Sequence, residues 1–301
     1  MNLEKILDKC IELNASDINI TSEQHLAMRI NRDIFIFNDY EHHLSVYDVQ
    51  DICTKITGGN NYLISLYSPM EKDGSYQYRY YKDEKDDEGK IYYFRYNISL
   101  TAGEIHITIR KLIDEVLSVE KIGLDSGEGK KFLDVCMELK EGLNICVGAT
   151  GSGKSTTLAT IIHEQLLSKP IKTITLEAPI EYYFPTKKYI KNNSIIIQRE
   201  IPIDSSSFEL GLRAAMRQNP DVIFVGEIRD PETAQAALQA ANTGHTVMAT
   251  LHAASAAKAF ERLKFLVGNV TNDYSFITSI MFQKLIKEDG KVIPYRETLV
   301  C

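Results

Sequence analysis

Leu143-Asn144-Ile145-Cys146-Val147-Gly148-Ala149-Thr150-Gly151-Ser152-Gly153-Lys154-Ser155 joins a short, mostly apolar run to a glycine-rich turn that closes on Lys-Ser. The first five residues have the composition of a buried strand, and the residues from Lys154 to Ser168 read as a helix. Between them, Gly148 to Ser155 matches G-x-x-x-x-G-K-[ST] without a departure. In a strand–turn–helix setting the glycines let backbone N–H groups turn inward around phosphate oxygens, where the helix start adds its positive end. Lys154 would place a charge between the β- and γ-phosphates, and the Ser155 hydroxyl would complete a Mg²⁺ ligand set. The expected nucleotide cradle is therefore Gly148, Ala149, Thr150, Gly151, Ser152, Gly153, Lys154, Ser155 and Thr156, with ATP and Mg²⁺ as its ligands.

Downstream, short apolar runs alternate with helical patterns. The strands expected are Thr173–Leu176, Val222–Val225 and Thr246–Leu251, the last completing the run; helices are expected from Ser207 to about Gln218 and from Pro231 to near Gly244, with one at Gly129–Leu139 ahead of the turn. This alternation implies a mostly parallel sheet covered on both faces, whose ligands sit beyond the carboxyl ends of the strands. The unusual residues fall at those ends. Glu177 and Glu181 follow one strand, and a carboxylate there could orient and deprotonate an attacking water. Gly226-Glu227 follows another; glycine takes the place where such strands often carry an acid, so Glu227 is left to hold Mg²⁺. His245 and His252 bracket Thr246–Leu251, and only His252 is at the phosphate end, where it could sense the γ-phosphate.

The first 111 residues read differently. A short helix over residues 1–14 precedes period-two segments such as Asp17–Ile20, Tyr92–Ser99 and Ile105–Arg110, joined by Asn31-Arg32-Asp33 and Ala102-Gly103 turns. This is a small α+β sheet domain, followed by a linker at 112–124 and the nucleotide domain at 125–301. The charged run Lys82–Glu88 reads as a solvated hairpin tip. Arg95 and Arg110 stand in strands near the linker and are candidates to reach a nucleotide from the sheet domain, while Arg213, Arg217 and Arg229 belong to the nucleotide domain. A cation supplied from outside the phosphate loop is worth roughly 10³–10⁵ in phosphoryl-transfer rate.

Composition narrows the class. The net charge is −7, whereas a protein that neutralises nucleic-acid phosphates needs the opposite balance, so direct nucleic-acid binding is not expected. Five cysteines at no metal-ligand spacing read as reduced core thiols of a cytosolic protein. No apolar run approaches the ~20 residues of a membrane span.

The order of motifs — the phosphate loop, then Leu176-Glu177-Ala178-Pro179-Ile180-Glu181, Val225-Gly226-Glu227-Ile228-Arg229-Asp230, and Gly244-His245-Thr246…Thr250-Leu251-His252 — resembles the Walker A, Asp box, Walker B and His box of the PilT/GspE/VirB11 superfamily of secretion and pilus ATPases. Ala15-Ser16-Asp17-Ile18-Asn19-Ile20 resembles the N-terminal signature of its PilT-like branch. The resemblance implies an α/β fold, with a RecA-like nucleotide domain behind a smaller PAS-like α+β sheet domain. It also implies a homo-hexamer, cytoplasmic and peripheral at the inner membrane, that hydrolyses ATP to power a membrane-bound machine. Glu177, Glu227, His252, Arg95 and Arg110 would be its catalytic residues, with Ser155 and Glu227 at the metal. Two departures stand out: Ala178 replaces the Asp of the common Glu-Asp-Pro, a variant resembling the DotB/TraJ-like type IVB secretion group, and the helices that usually close the family are expected to be missing after Lys291–Glu297. A pilus-retraction ATPase, a DNA-translocating motor and a nucleotide-gated scaffold that hardly hydrolyses ATP are the alternatives.

Overall fold

Alternation and helical amphipathicity partition the chain into two compact units, Met1–Asp114 and Glu115–Cys301. The structure is a computed structural model and describes residues 2–59, 71–82, 88–112, 115–268, 274–288 and 291–301.

In the first unit α1 (Leu3–Glu12) buries Leu3, Ile6, Leu7 and Cys10 along one stripe. Strands β1 (Asp17–Thr21), β3 (Ala27–Ile30), β4 (Asp33–Ile36), β6 (Lys72–Tyr80), β7 (Lys90–Thr101) and β8 (Glu104–Lys111) form an antiparallel sheet in the order β4-β3-β1-β8-β7-β6. A two-residue pair, β2 (Gln24–His25) with β5 (His43–Leu44), sits apart. Inward residues alternate as the sequence pattern requires: Phe94, Tyr96 and Ile98 on β7, and Ile105, Ile107 and Ile109 on β8, are buried in one cluster with α1 and α2 (Val46–Thr57). The turn between β7 and β8 puts Ala102 at φ 52° and Gly103 at φ 89°, the left-handed pair that suits a tight hairpin. Neither α2 nor β6 was apparent as an element in the sequence. The expected charged hairpin tip lies mostly outside the described residues.

The second unit centres on a seven-stranded sheet. Its strands are β9 (Gly142–Val147), β10 (Lys172–Glu177), β11 (Ile195–Glu200), β12 (Val222–Val225), β13 (Thr246–Leu251), β14 (Ile277–Glu288) and β15 (Lys291–Val300), in the order β11-β10-β12-β13-β9-β14-β15. The neighbours pair in parallel except β14 with β15. Every residue of β9 and β13 is buried, as expected of strands with both faces covered. Five helices accompany it: α3 (Gly127–Met137), α4 (Lys154–Ser168), α5 (Phe208–Met216), α6 (Pro231–Asn242) and α7 (Ala256–Val267).

Three expectations need correction. The run does not close at Leu251, because β14 and β15 extend the sheet beyond β9, and β11 borders the other edge. Residues 115–124, expected as part of a linker, fold with the second unit: Leu124 is fully buried, with Val116, Val119 and Ile122 packed on the same cluster. The cysteines are free and four are buried, but Cys301 is exposed, so it is not a core thiol.

Candidate functional site

Parallel strands bring their carboxyl ends to one edge, and here that edge gathers Gly148, Glu177, Glu227 and His252 from four strands that lie next to one another. Gly148 has φ 157°, and a Cβ there would come within 2.2 Å of the Gln283 carbonyl oxygen, so the loop can pass only as glycine. Gly151 and Gly153 follow at φ 75° and 86°. Gly153 caps α4 without a side-chain hydrogen bond, and no acid stands in the first turn, which leaves the helix's opening N–H groups available to an anion. Lys154 is buried and donates to the carbonyls of Gly148 (3.1 Å) and Ala149 (2.8 Å). Burial lowers the affinity of its amine for the proton, while Glu227 and Glu181 nearby support the charge. The Ser152 hydroxyl is buried without a partner among the described residues.

A cavity of about 280 Å³ opens beside this loop, lined by Thr150, Gly151, Lys154 and Ser155 on one side and by Glu177, Glu181, Glu227 and His252 on the other. Glu177 ends β10 almost fully enclosed. Burial pushes its carboxyl up to about 7, although Thr175 Oγ1 donates to Oε1 at 2.6 Å and Gln198 Nε2 at 3.3 Å. That poise suits a general base near neutral pH. Glu181 is exposed at the cavity wall.

Gly226 explains why no acid stands directly after β12. Its N–H donates to Leu176 O at 2.7 Å, and a Cβ would meet that oxygen at 3.1 Å and Glu177 Cα at 3.2 Å. The acid is displaced one residue, to Glu227. Arg229 donates to Glu227 Oε2 through Nε at 2.7 Å and lies at 2.6 Å through Nη2, while His252 Nε2 is 3.1 Å from Oε1. Both oxygens thus already have a partner from the protein, a guanidinium on one and an imidazole nitrogen on the other. His245, at the opposite end of β13, has Nδ1 3.2 Å from Ala240 O and stays out of the cavity.

The residues present fit a nucleoside triphosphate with a hard cation. A buried hydroxyl without a partner, an ammonium resting on neutral carbonyls and an uncapped helix start suit phosphate oxygens. Ser155 and Glu227 offer a hydroxyl and a carboxylate, the oxygen donors that Mg²⁺ prefers. Thr156, in contrast, is 2.8 Å from Tyr182 Oη through its hydroxyl.

Arg95 and Arg110 belong to the first unit, where they are directly opposed across β7 and β8. Arg110 Nε donates to Asp17 Oδ1 at 2.6 Å, and Ser16 Oγ donates to Oδ2 at 2.7 Å. The Ala-Ser-Asp segment is therefore a seat for Arg110. Arg95 Nη2 is 4.0 Å from Asp73 Oδ1.

Sequence reasoning assigned no role to Arg229, and it overlooked Gln283 and Arg296, described below. Arg229 stands two residues after Glu227, and that closeness was the available signal. The other two lie far downstream on strands that the sequence reading did not identify.

Residues 84–292, well over half of the chain, match the family described as Type II/IV secretion system protein. The chain belongs to that family. It is similar to the type IV pilus retraction ATPase PilT of Pseudomonas aeruginosa, with 31% identity over 303 residues, covering 96% of this chain and 79% of that relative. Among solved structures, a pilus retraction motor PilT with bound ADP superposes with a TM-score of 0.83 at 33% identity, covering 100% of this chain and 83% of the other. The ATPase DotB of Legionella pneumophila does so with a TM-score of 0.73 at 30% identity, covering 99% and 80%. The chain is thus a PilT-like member of the secretion and pilus ATPase superfamily, with an antiparallel sheet domain followed in the chain by a RecA-like second unit. Its relatives include ATPases, one of them with ADP bound. No helix among the described residues is long and apolar enough to cross a membrane.

Proposed function

We propose that this chain is the ATP-hydrolysing subunit of a homo-hexameric motor that works at the cytoplasmic face of the inner membrane and powers a DotB-like type IV secretion or conjugation machine. The observation that carries the reading is the convergence of Lys154, Ser155, Glu177, Glu227 and His252 on one cavity at the strand ends. The phosphate loop binds the β- and γ-phosphates through backbone N–H groups and Lys154. Ser155 and Glu227 hold Mg²⁺, which when bound neutralises charge on the phosphate oxygens. Glu177, ionised, takes a proton from the attacking water, and His252 contacts the γ-phosphate. Arg95 and Arg110 act from the sheet domain as the cations outside the phosphate loop.

A second reading, pilus retraction, is favoured by the likeness to PilT, which covers 100% of this chain and 83% of that one. The Glu177-Ala178-Pro179 variant supports the secretion reading instead. Phosphate release from the purified chain, with and without DNA, tests the enzymatic core. We expect Mg²⁺-dependent, DNA-independent turnover that Glu177→Gln lowers at least about 100-fold while ATP binding persists. DNA-stimulated turnover would favour a translocating motor, and binding without turnover a scaffold. Complementation of a retraction-defective and a secretion-defective strain separates the two motor readings.

A further inference from the structure

Behind the phosphate loop runs a second set of contacts that the chemistry above does not use. Gln283 on β14 is buried, and its side chain touches both the loop and the helix that follows it: Nε2 donates to Ser152 O at 2.6 Å, and Oε1 accepts from Thr157 Oγ1 of α4 at 2.9 Å. Its own carbonyl fills the space that a Gly148 side chain would need. Across the strand pair, Arg296 on β15 stands in register with Gln283 and donates through Nε to the same Oε1 at 2.8 Å. The guanidinium fork then reaches the other way. Nη1 donates to Gly123 O at 2.7 Å and Nη2 to Ile122 O at 2.8 Å.

This is an unusual use of an arginine. Its guanidinium is half-buried, burial disfavours its charged form, and it makes no ion pair among the described residues; its bonds go to one amide and two main-chain carbonyls. A planar fork with fixed donor directions suits two adjacent carbonyls and a third acceptor at once, which a flexible ammonium would not do. Ile122 and Gly123 belong to the stretch through which the second unit begins, immediately after the division between the units. Thr160 Oγ1 of α4 also donates to Leu117 O, at 2.9 Å, and so tethers the same stretch independently.

We propose that Gln283 and Arg296 are positioning residues that transmit the conformation of the phosphate loop to residues 122–123, so that nucleotide binding resets the opening stretch of the second unit. The proposal rests on the reading of the loop as a nucleotide site. Phosphate binding draws Lys154 and the loop's N–H groups onto the ligand. The Ser152 carbonyl then shifts against Gln283, and Arg296 passes the shift to the two carbonyls it grips.

Amide hydrogen exchange on the full chain, with and without Mg·ATP, tests this directly. In the unsubstituted protein, Mg·ATP should slow exchange both in the phosphate loop and at residues 119–124. In Arg296→Gln the loop should still be protected, with ATP affinity within about threefold, whereas the ATP-dependent change at 119–124 should fall at least about fivefold, the worth of one buried hydrogen bond. Arg296→Lys should restore only part of it. Thr160 keeps the segment attached in these variants, so simple undocking would appear as fast exchange even without ATP. If Arg296→Gln shows no cooperative melt, Gln283→Met cuts the same chain one link earlier and is read the same way. A normal response at 119–124 in either variant overturns the proposal, as does a protected loop with an unresponsive 119–124 in the parent protein. No protection of the loop in the parent would instead sink the nucleotide reading itself.

Discussion

Glu177 and Glu227 are two carboxylates in one cavity with opposite environments. Glu177 is enclosed, with two neutral donors on one oxygen, so burial raises its pKa from 4.5 to about 7. A base with that value must lose its proton to work, so turnover should climb with pH through about 7 and level off above it; a pH–rate profile flat from 6 to 8 would contradict the role. The same shift carries a stability consequence. A carboxyl raised in the folded state binds its proton more tightly than in the unfolded chain, so folding weakens as pH climbs from 4.5 toward 7, by up to about 3 kcal/mol. Glu177→Gln should therefore raise the melting temperature at pH 8 and leave it nearly unchanged at pH 4, while turnover is lost. Glu227 instead is clasped by Arg229. An ion pair with an exposed arginine is worth up to about 1 kcal/mol, so Arg229→Ala should lower the Mg²⁺ concentration for half-maximal binding of a fluorescent ATP analogue by up to about fivefold. An unchanged or higher requirement would mean that Arg229 does not compete with the cation.

The turns that follow each strand place these groups, and each has its own physical requirement. Between β12 and α6, Gly226 lets two strand ends approach, and Asp230 then starts the helix by accepting from Thr233 N at 2.7 Å. Pro231 occupies the first helical position, where no N–H is needed. Gly226→Ala would push against Leu176 O and Glu177 Cα, both backbone atoms, at a cost of about 1–3 kcal/mol, and should cut turnover by displacing Glu177. Asp230→Ala should cost about 1 kcal/mol in a denaturant titration and spare nucleotide affinity. If the two variants proved equally damaging to turnover, close packing at Gly226 would not be what aligns Glu177.

For the whole molecule, two units with separate cores follow one another along the chain, and the opening stretch of the second has two carbonyls gripped by Arg296. The hexamer proposal has a simple check in particle mass: Mg·ATP should shift the distribution of Glu177→Gln, which retains nucleotide, toward six copies. A monomer at every concentration tested would remove the ring. Arg110 fits a role outside its own unit, since Asp17 fixes its Nε while the side chain stays largely exposed. Arg110→Ala should lower kcat with little change in the ATP dissociation constant if it acts on the transferring phosphoryl group.

Much of this was legible in the linear order of residues because the relevant signals are local. The glycine spacing of residues 148–153, the apolar runs of β9, β12 and β13, and the alternation in β7 and β8 each depend on neighbours a few positions apart. The acids and histidine at strand ends followed from the rule that parallel strands share one functional edge. What the sequence could not settle depends on contacts between distant residues. Ile195–Glu200 looks like any short apolar run until β10 pairs with it, and residues 115–124 look like a linker until Leu124 and its neighbours find a core. Gln283 and Arg296 carry no local signature at all. Their meaning arises only because β14 lies beside β9 and β15 returns antiparallel, which sets two polar side chains in register between the phosphate loop and the carbonyls of Ile122 and Gly123. Local patterns record which element forms, but a hydrogen bond between residues 173 positions apart, such as Arg296 to Gly123, is chosen by the packing of the whole sheet.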